Sequence, residues 1–207
     1  MNKVLFIVLS LLMLNACSDS GKSPATVNEQ PFTQMLVYPK KNPLAPFELS
    51  ADDKTEFNQA SFKGKWNLLF MGFTNCPDIC PTTMTDMAHI YNGINSEVQK
   101  NFRVVFLSVD PKRDTLEHMD EYLNFFHKDF IGITGKTEEI DKLVYSLGGI
   151  YVIGNEDENY YSVDHTARIF IVSPQGERYG MIRSDVMRTK DWTLLIEELN
   201  ELGKTTG

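Results

Sequence analysis

Cys76 and Cys80 stand four positions apart in the run Gly72-Phe73-Thr74-Asn75-Cys76-Pro77-Asp78-Ile79-Cys80-Pro81, and each is followed by proline. Thiols at that spacing can converge on one point, either as ligands to a metal ion or as a strained disulfide. A bridge that merely staples the fold is the plainer alternative, but such bridges seldom close so small a loop beside a helix start. The flanking segments supply that helix start. Trp66–Met71 is an apolar run bounded by Gly64 and Gly72 and reads as a buried strand. Behind the loop, Thr82 to about Gln99 carries Met84, Met87, Ala88, Tyr91, Ile94 and Val98 at the spacings of an amphipathic helix. Pro81 suits the first helical position, where its missing N–H is not needed. Cys80 is then expected near the N-cap, where unpaired N–H groups and the helix dipole favour a thiolate.

The third cysteine has a different setting. Lys3 precedes the apolar run Val4–Leu14, which is too short to span a bilayer comfortably. Leu14-Asn15-Ala16-Cys17 then resembles the lipobox of bacterial lipoproteins. That resemblance implies cleavage before Cys17 and a lipid on its sulfur, with an ordinary signal peptide or a short uncleaved anchor as the alternative. The expected organisation is a signal peptide over residues 1–16, a lipid-anchored flexible tether over 17–42, and one folded domain over 43–207. Cys76 and Cys80 remain as the only pair in an exported, disulfide-permissive compartment. Loss of Lys3 leaves 19 basic against 28 acidic residues, a charge of −9. Such a chain has no basic face for nucleic acid or anionic lipid, so its membrane contact is expected to be the anchor alone.

The elements that must position the loop follow in order. Ser18 to about Asn42 is polar and proline-punctuated, with a short strand expected at Met35–Tyr38. Pro46–Leu49 and Thr55–Phe57 alternate around Asp52-Asp53 as a hairpin on the sheet edge. Phe102–Val109 reads as a second buried strand, and Asp114 or Thr115 can cap a helix running to about Phe126. Ile131–Thr134 is a short strand, and Thr137 caps a helix that Gly148-Gly149 ends. Strand alternating with helix predicts parallel pairing. Tyr151–Ile153 and Tyr160–Val163 then flank a polar tip as a hairpin. Ala167–Val172 and Glu177–Ile182 close the sheet antiparallel, and Trp192–Leu202 is a final helix. The expected fold is α/β, a central mixed sheet flanked by helices, with an added hairpin before the His165 segment.

Several of these segments together are similar to one family. The decapeptide from Gly72 to Pro81, preceded by Gly64-Lys65-Trp66, resembles the Sco/SenC signature. So do Ser108-Val109-Asp110-Pro111 with Arg113-Asp114-Thr115, and Val163-Asp164-His165-Thr166. The resemblance implies a thioredoxin-like fold and copper bound by Cys76, Cys80 and His165. It also implies delivery of that copper to the CuA centre of cytochrome c oxidase, the partner being the CuA-bearing subunit or another copper or thiol protein. Family members are membrane-anchored, which agrees with a lipid anchor facing the periplasm. Many thioredoxin-like proteins carry a cis-proline opposite the redox motif; here His165-Thr166 stands in that neighbourhood.

Two thiolates and an imidazole suit Cu(I), and Cu(II) if an oxygen ligand joins, whereas structural zinc usually takes four protein ligands. Pro77 and Pro81 favour a preformed site. Asp164 is a candidate to orient the imidazole, and Asp78 is either an electrostatic neighbour or a solvated turn residue. His89, His118 and His127 are expected on polar helix faces, Met84 and Met87 in the core, and Asn155–Asn159 at an exposed tip. Asp110-Pro111 is given no role beyond shaping the sheet edge. The main reading is a metallochaperone rather than an enzyme. The alternative is a thiol–disulfide oxidoreductase acting on the oxidase subunit or another exported partner, through Cys76 and Cys80 as its redox-active pair.

Overall fold

In the computed structural model, which describes residues 32–155 and 161–205, the expected elements are present in order, with one helix, Ser184–Thr189, that the sequence reading did not include. They are β1 (Met35–Pro43), β2 (Glu48–Ala51), β3 (Glu56–Asn58), β4 (Trp66–Gly72), α1 (Ile79–Gly93), α2 (Ser96–Gln99), β5 (Phe102–Ser108) and α3 (Leu116–Asn124). Then come β6 (Ile131–Thr134), α4 (Thr137–Leu147), β7 (Tyr151–Ile153), β8 (Val163–His165), β9 (Ile169–Val172), β10 (Glu177–Ile182), α5 (Ser184–Thr189) and α6 (Thr193–Gly203).

Eight strands form one sheet in the order β1-β10-β9-β4-β5-β6-β2-β3, while β7 and β8 pair as a separate ribbon. β4 runs parallel to β5, and β5 to β6; β9 returns antiparallel against β4, with Leu68 opposite both Val104 and Ile171. All seven residues of β4 are buried, as a strand covered on both faces requires. This is the mixed, helix-flanked sheet of the thioredoxin-like fold. Met84 and Met87 lie in its core. Among the described residues no helix is long and apolar enough to cross a membrane. Cys17 and the whole of segment 1–31 lie outside the described residues, as do residues 156–159 of the polar tip.

The helix ends refine the sequence reading. The single helix expected to Gln99 is two, α1 ending at Gly93, which lies so close to α6 that a Cβ would come 2.5 Å from Ile196 Cδ1. Ile94 is extended beyond it, and Asn95 starts α2 by accepting a bond from the Glu97 N–H at 3.0 Å. At α3, Thr115 is the cap, accepting from the His118 N–H at 3.2 Å, while Asp114 turns inward. The N-cap of α4 is Lys136, so Thr137 is its first helical residue and not its cap; Gly148 ends the helix at φ 75°.

The strand at the tether's end runs on to Pro43, so residues 35–42 belong to the sheet, paired with β10. The hairpin is also shifted: its second strand is Val163–His165, with Tyr151 opposite His165. His165 therefore rides on the hairpin rather than after it.

Candidate metal centre

The cysteine loop joins β4 to α1. Asp78 is the N-cap of α1, without a side-chain capping bond, and Ile79, Cys80 and Pro81 are its first three residues. Proline is tolerated there because first-turn N–H groups have no intrahelical partner. Cys80 points inward and is fully buried, its sulfur lying against Gly72, where an added Cβ would come within 2.8 Å. Burial pushes the Cys80 thiol well above the ordinary cysteine range, with the neighbouring Cys76 sulfur adding to the effect. This reverses the expected thiolate: loss of water at a fully covered sulfur outweighs the favourable helix end. Cys76 is half-buried at the loop's rim, and its sulfur accepts a long bond from the Cys80 N–H at 3.5 Å. Both thiols are free.

His165 enters from β8. Its ring is held edge-on between Phe70 and Phe73, with centroids 5.9 and 6.1 Å away. Burial lowers its pKa, so the imidazole is neutral near pH 7, against smaller opposing effects from the Thr166 backbone and Asp164. Nδ1 lies 3.4 Å from the Thr166 carbonyl, which can only accept, so the proton belongs on Nδ1. Nε2 is left with its lone pair, and it faces Cys80 Sγ at 3.4 Å. Asp164, considered as the orienting group, is exposed; the Thr166 carbonyl has that position instead.

A 3.4 Å gap between sulfur and nitrogen fits two donors on one ion. At ordinary metal–sulfur and metal–nitrogen lengths they would subtend about 100°. Cys80 and His165 thus fit a soft ion as they stand. Cys76 does not complete the set: among the described residues no three His, Cys, Asp or Glu groups are already arranged to hold a metal. The fully preformed site expected from the two prolines is therefore half-formed, because the Cys76 sulfur turns to the Cys80 N–H. Cys76 and His165 open on a cleft of about 830 Å³ lined also by Phe73, Asp78, Arg113 and Tyr161, among others, with Cys80 buried beneath it.

The remaining candidates lie elsewhere. His89 packs on Trp192, His127 stacks on Phe130 and is not in a helix, and His118 is exposed. Two acids carry more than sequence reasoning gave them. Asp114 is buried and accepts from the Thr74 N–H at 2.9 Å, the Thr74 hydroxyl at 2.5 Å and the Ser108 hydroxyl at 2.6 Å, tying the cysteine loop to the end of β5. Asp110 accepts from Arg113 and from the Tyr161 hydroxyl at 2.7 Å. The segment Asp110-Pro111-Lys112-Arg113-Asp114 was the available signal, since two acids directly after a buried strand need partners.

This fold and cleft define a thioredoxin-like protein with two thiols and an imidazole at one mouth. A family model described as SCO1/SenC matches residues 38–199. The chain belongs to the SCO1/SenC family. Protein SCO1 homolog 1, mitochondrial, of Arabidopsis thaliana is 38% identical over 130 residues, 63% of this chain and 39% of that one, so the chain spans well under half of that relative's length. Apo Sco1 of Thermus thermophilus superposes with a TM-score of 0.72 at 30% identity, covering 84% of this chain and 99% of the other. Bradyrhizobium japonicum ScoI with copper bound gives 0.67 at 28% identity, over 80% and 100% of the two chains.

Proposed function

We propose that this protein is a copper chaperone that holds one copper ion through Cys76, Cys80 and His165 and passes it to the CuA-bearing subunit of cytochrome c oxidase. A lipid on Cys17 would keep it at the outer face of the cell membrane, in the periplasm. The observation that carries the reading is the 3.4 Å contact of Cys80 Sγ with His165 Nε2, between groups 85 residues apart, directly beneath a cleft that Cys76 and His165 line. Copper-bound structures of relatives support it. On loading, Cys80 and Cys76 each give up a thiol proton, His165 offers Nε2, and Cys76 swings away from the Cys80 N–H. Its half-exposed place at the rim makes Cys76 the ligand that a partner's thiolate would displace first. Cu(I) enters and leaves as Cu(I), so no electrons change hands in the transfer.

A second reading, thiol–disulfide exchange, is favoured by the pairing of a rim thiol with a buried one in the same loop. The Cys76 thiolate would attack a partner disulfide and release one partner thiolate. The Cys80 sulfur would then displace the second, leaving a Cys76–Cys80 bridge and a reduced partner.

Copper titration of the reduced soluble domain tests the first reading. One equivalent should bind; Cys76→Ala or Cys80→Ala should abolish stable binding, and His165→Ala should weaken it and alter the spectrum of any Cu(II) form. In cells lacking the protein, added copper should restore oxidase activity, whereas rescue by a membrane-permeant reductant alone would favour exchange. Full complementation by His165→Ala would overturn the chaperone reading.

A further inference from the structure

The donors come from separate parts of the fold. Cys76 lies in the loop after β4 and Cys80 in the first turn of α1, while His165 sits on a ribbon that pairs only within itself. The pairing of β9 with β4 begins only at Ile169, so the main sheet's hydrogen bonding stops four residues short of His165, and side chains must set how far the imidazole stands from the cysteines.

A cluster beside the donors does this. The Asp110 carboxylate, 1% exposed, accepts from Arg113 Nε on one oxygen and from the Tyr161 hydroxyl on the other at 2.7 Å. Arg113 Nη1 donates to the Tyr161 carbonyl at 3.2 Å. The guanidinium lies over the Tyr161 ring, 3.7 Å from its centroid, and 5.5 Å from the centroid of Phe73. Phe73 is one of the two rings that hold His165. Tyr161 precedes β8 by two residues, so this cluster ties the His165 strand to the end of β5 and to the cysteine loop. Among the ribbon's further polar ties, the Tyr151 hydroxyl donates to Asp141 at 2.7 Å toward α4, and the Thr166 N–H donates to the Ile150 carbonyl at 3.0 Å.

We propose that Asp110, Arg113 and Tyr161 form a latch that holds His165 within reach of Cys80, making them positioning residues for copper binding. The proposal rests on the copper reading of the site. A ribbon that swings away presents a site with two thiols and no imidazole. The apparent affinity is then the intrinsic one multiplied by the fraction of molecules with the ribbon closed. Hydrogen bonds to a charged group and a cation stacked on an aromatic ring are each strong enough to govern that fraction. Arginine is needed in particular, because lysine offers neither the fork to Asp110 and the Tyr161 carbonyl nor a flat face for the ring.

The test measures Cu(I) affinity of the reduced soluble domain by competition with a chromophoric chelator. Tyr161→Phe and Arg113→Lys are each made in the parent and in the His165→Ala background. Each should lower affinity about ten-fold in the parent and less than about two-fold when His165 is already gone. In the metal-free domain, amide hydrogen exchange at Val163–His165 should quicken while that of β4 and β5 stays unchanged. Equal losses in both backgrounds would mean a general stabilising role and overturn the latch, as would no loss in either. If His165→Ala itself leaves affinity unchanged, the copper reading fails. If His165→Ala weakens binding and the latch variants do not, only the latch fails.

Discussion

Gly72→Ala is the sharpest test of the geometry around Cys80. The backbone of Gly72 is not left-handed, so alanine meets no conformational penalty and the effect is one of space alone. The new methyl would stand 2.8 Å from Cys80 Sγ and 2.9 Å from Phe106 Cε2, both on fully buried residues. Ordinary contact needs about 3.5 Å or more, so the sulfur must retreat by roughly 0.7 Å or the ring must turn. Overpacking of this kind costs about 1–3 kcal/mol. For a domain of this size that lowers Tm by about 2–12 °C. A metal ligand tolerates only about 0.2 Å of error, so copper affinity should fall at least about ten-fold in the folded variant. Thermal unfolding followed by circular dichroism, and chelator competition, read the two effects. The same substitution in a Cys80→Ala background meets only Phe106 and should cost about half as much or less. A Tm within about 1 °C of the parent, or an equal cost in both backgrounds, would refute the close packing of Cys80 on β4.

Two further expectations follow from the same residues and from the N-terminal motif. Asp114→Ala strands the Thr74 N–H and the Ser108 hydroxyl in the interior; chemical denaturation should show a loss of about 2–4 kcal/mol, and Asp114→Asn a smaller one. Mass spectrometry of membrane-extracted protein should find a diacylglycerol on Cys17 and none of residues 1–16. Cys17→Ser should release the protein from the membrane without changing the copper stoichiometry of its domain.

The sheet was legible wherever one periodicity ruled a whole segment. Trp66–Met71 and Phe102–Val109 read as buried strands because burial on both faces leaves near-continuous apolar runs, broken only by Asn67, Arg103 and Ser108, and they pair in parallel as expected. The cysteine loop and His165 could be singled out by residue type and motif, and the structure brings Cys80 and His165 into contact. Three things were hidden. The protonation preference of Cys80 depends on neighbours that cover it, Gly72 and Phe106 among them, and no local rule reports cover by a strand. The registration of the ribbon, which puts Tyr151 opposite His165, is set by pairings that a polar tip does not encode. The Asp110–Arg113–Tyr161 cluster joins positions about fifty residues apart, and only the fold shows that they meet.

β1 bears on how a soluble form of the protein should be cut. Composition places the start of the domain near residue 43, after the run of prolines, yet by then the chain has already contributed its outermost strand. Met35 is 1% exposed and Val37 7%, both sealed by the pairing of Met35 with Ile182 and Val37 with Gly180. Gly180 is itself shaped to that strand, since a Cβ there would come 2.3 Å from the Leu36 carbonyl oxygen. A version begun at residue 43 would uncover β10 from Arg178 to Ile182, a bare strand edge able to recruit a second molecule. Its clumping would then be mistaken for a property of the cysteines. Beginning at or before Phe32 keeps the edge closed, and with it the Glu198 carboxylate that holds the Thr33 and Gln34 N–H groups at 2.7 and 3.0 Å.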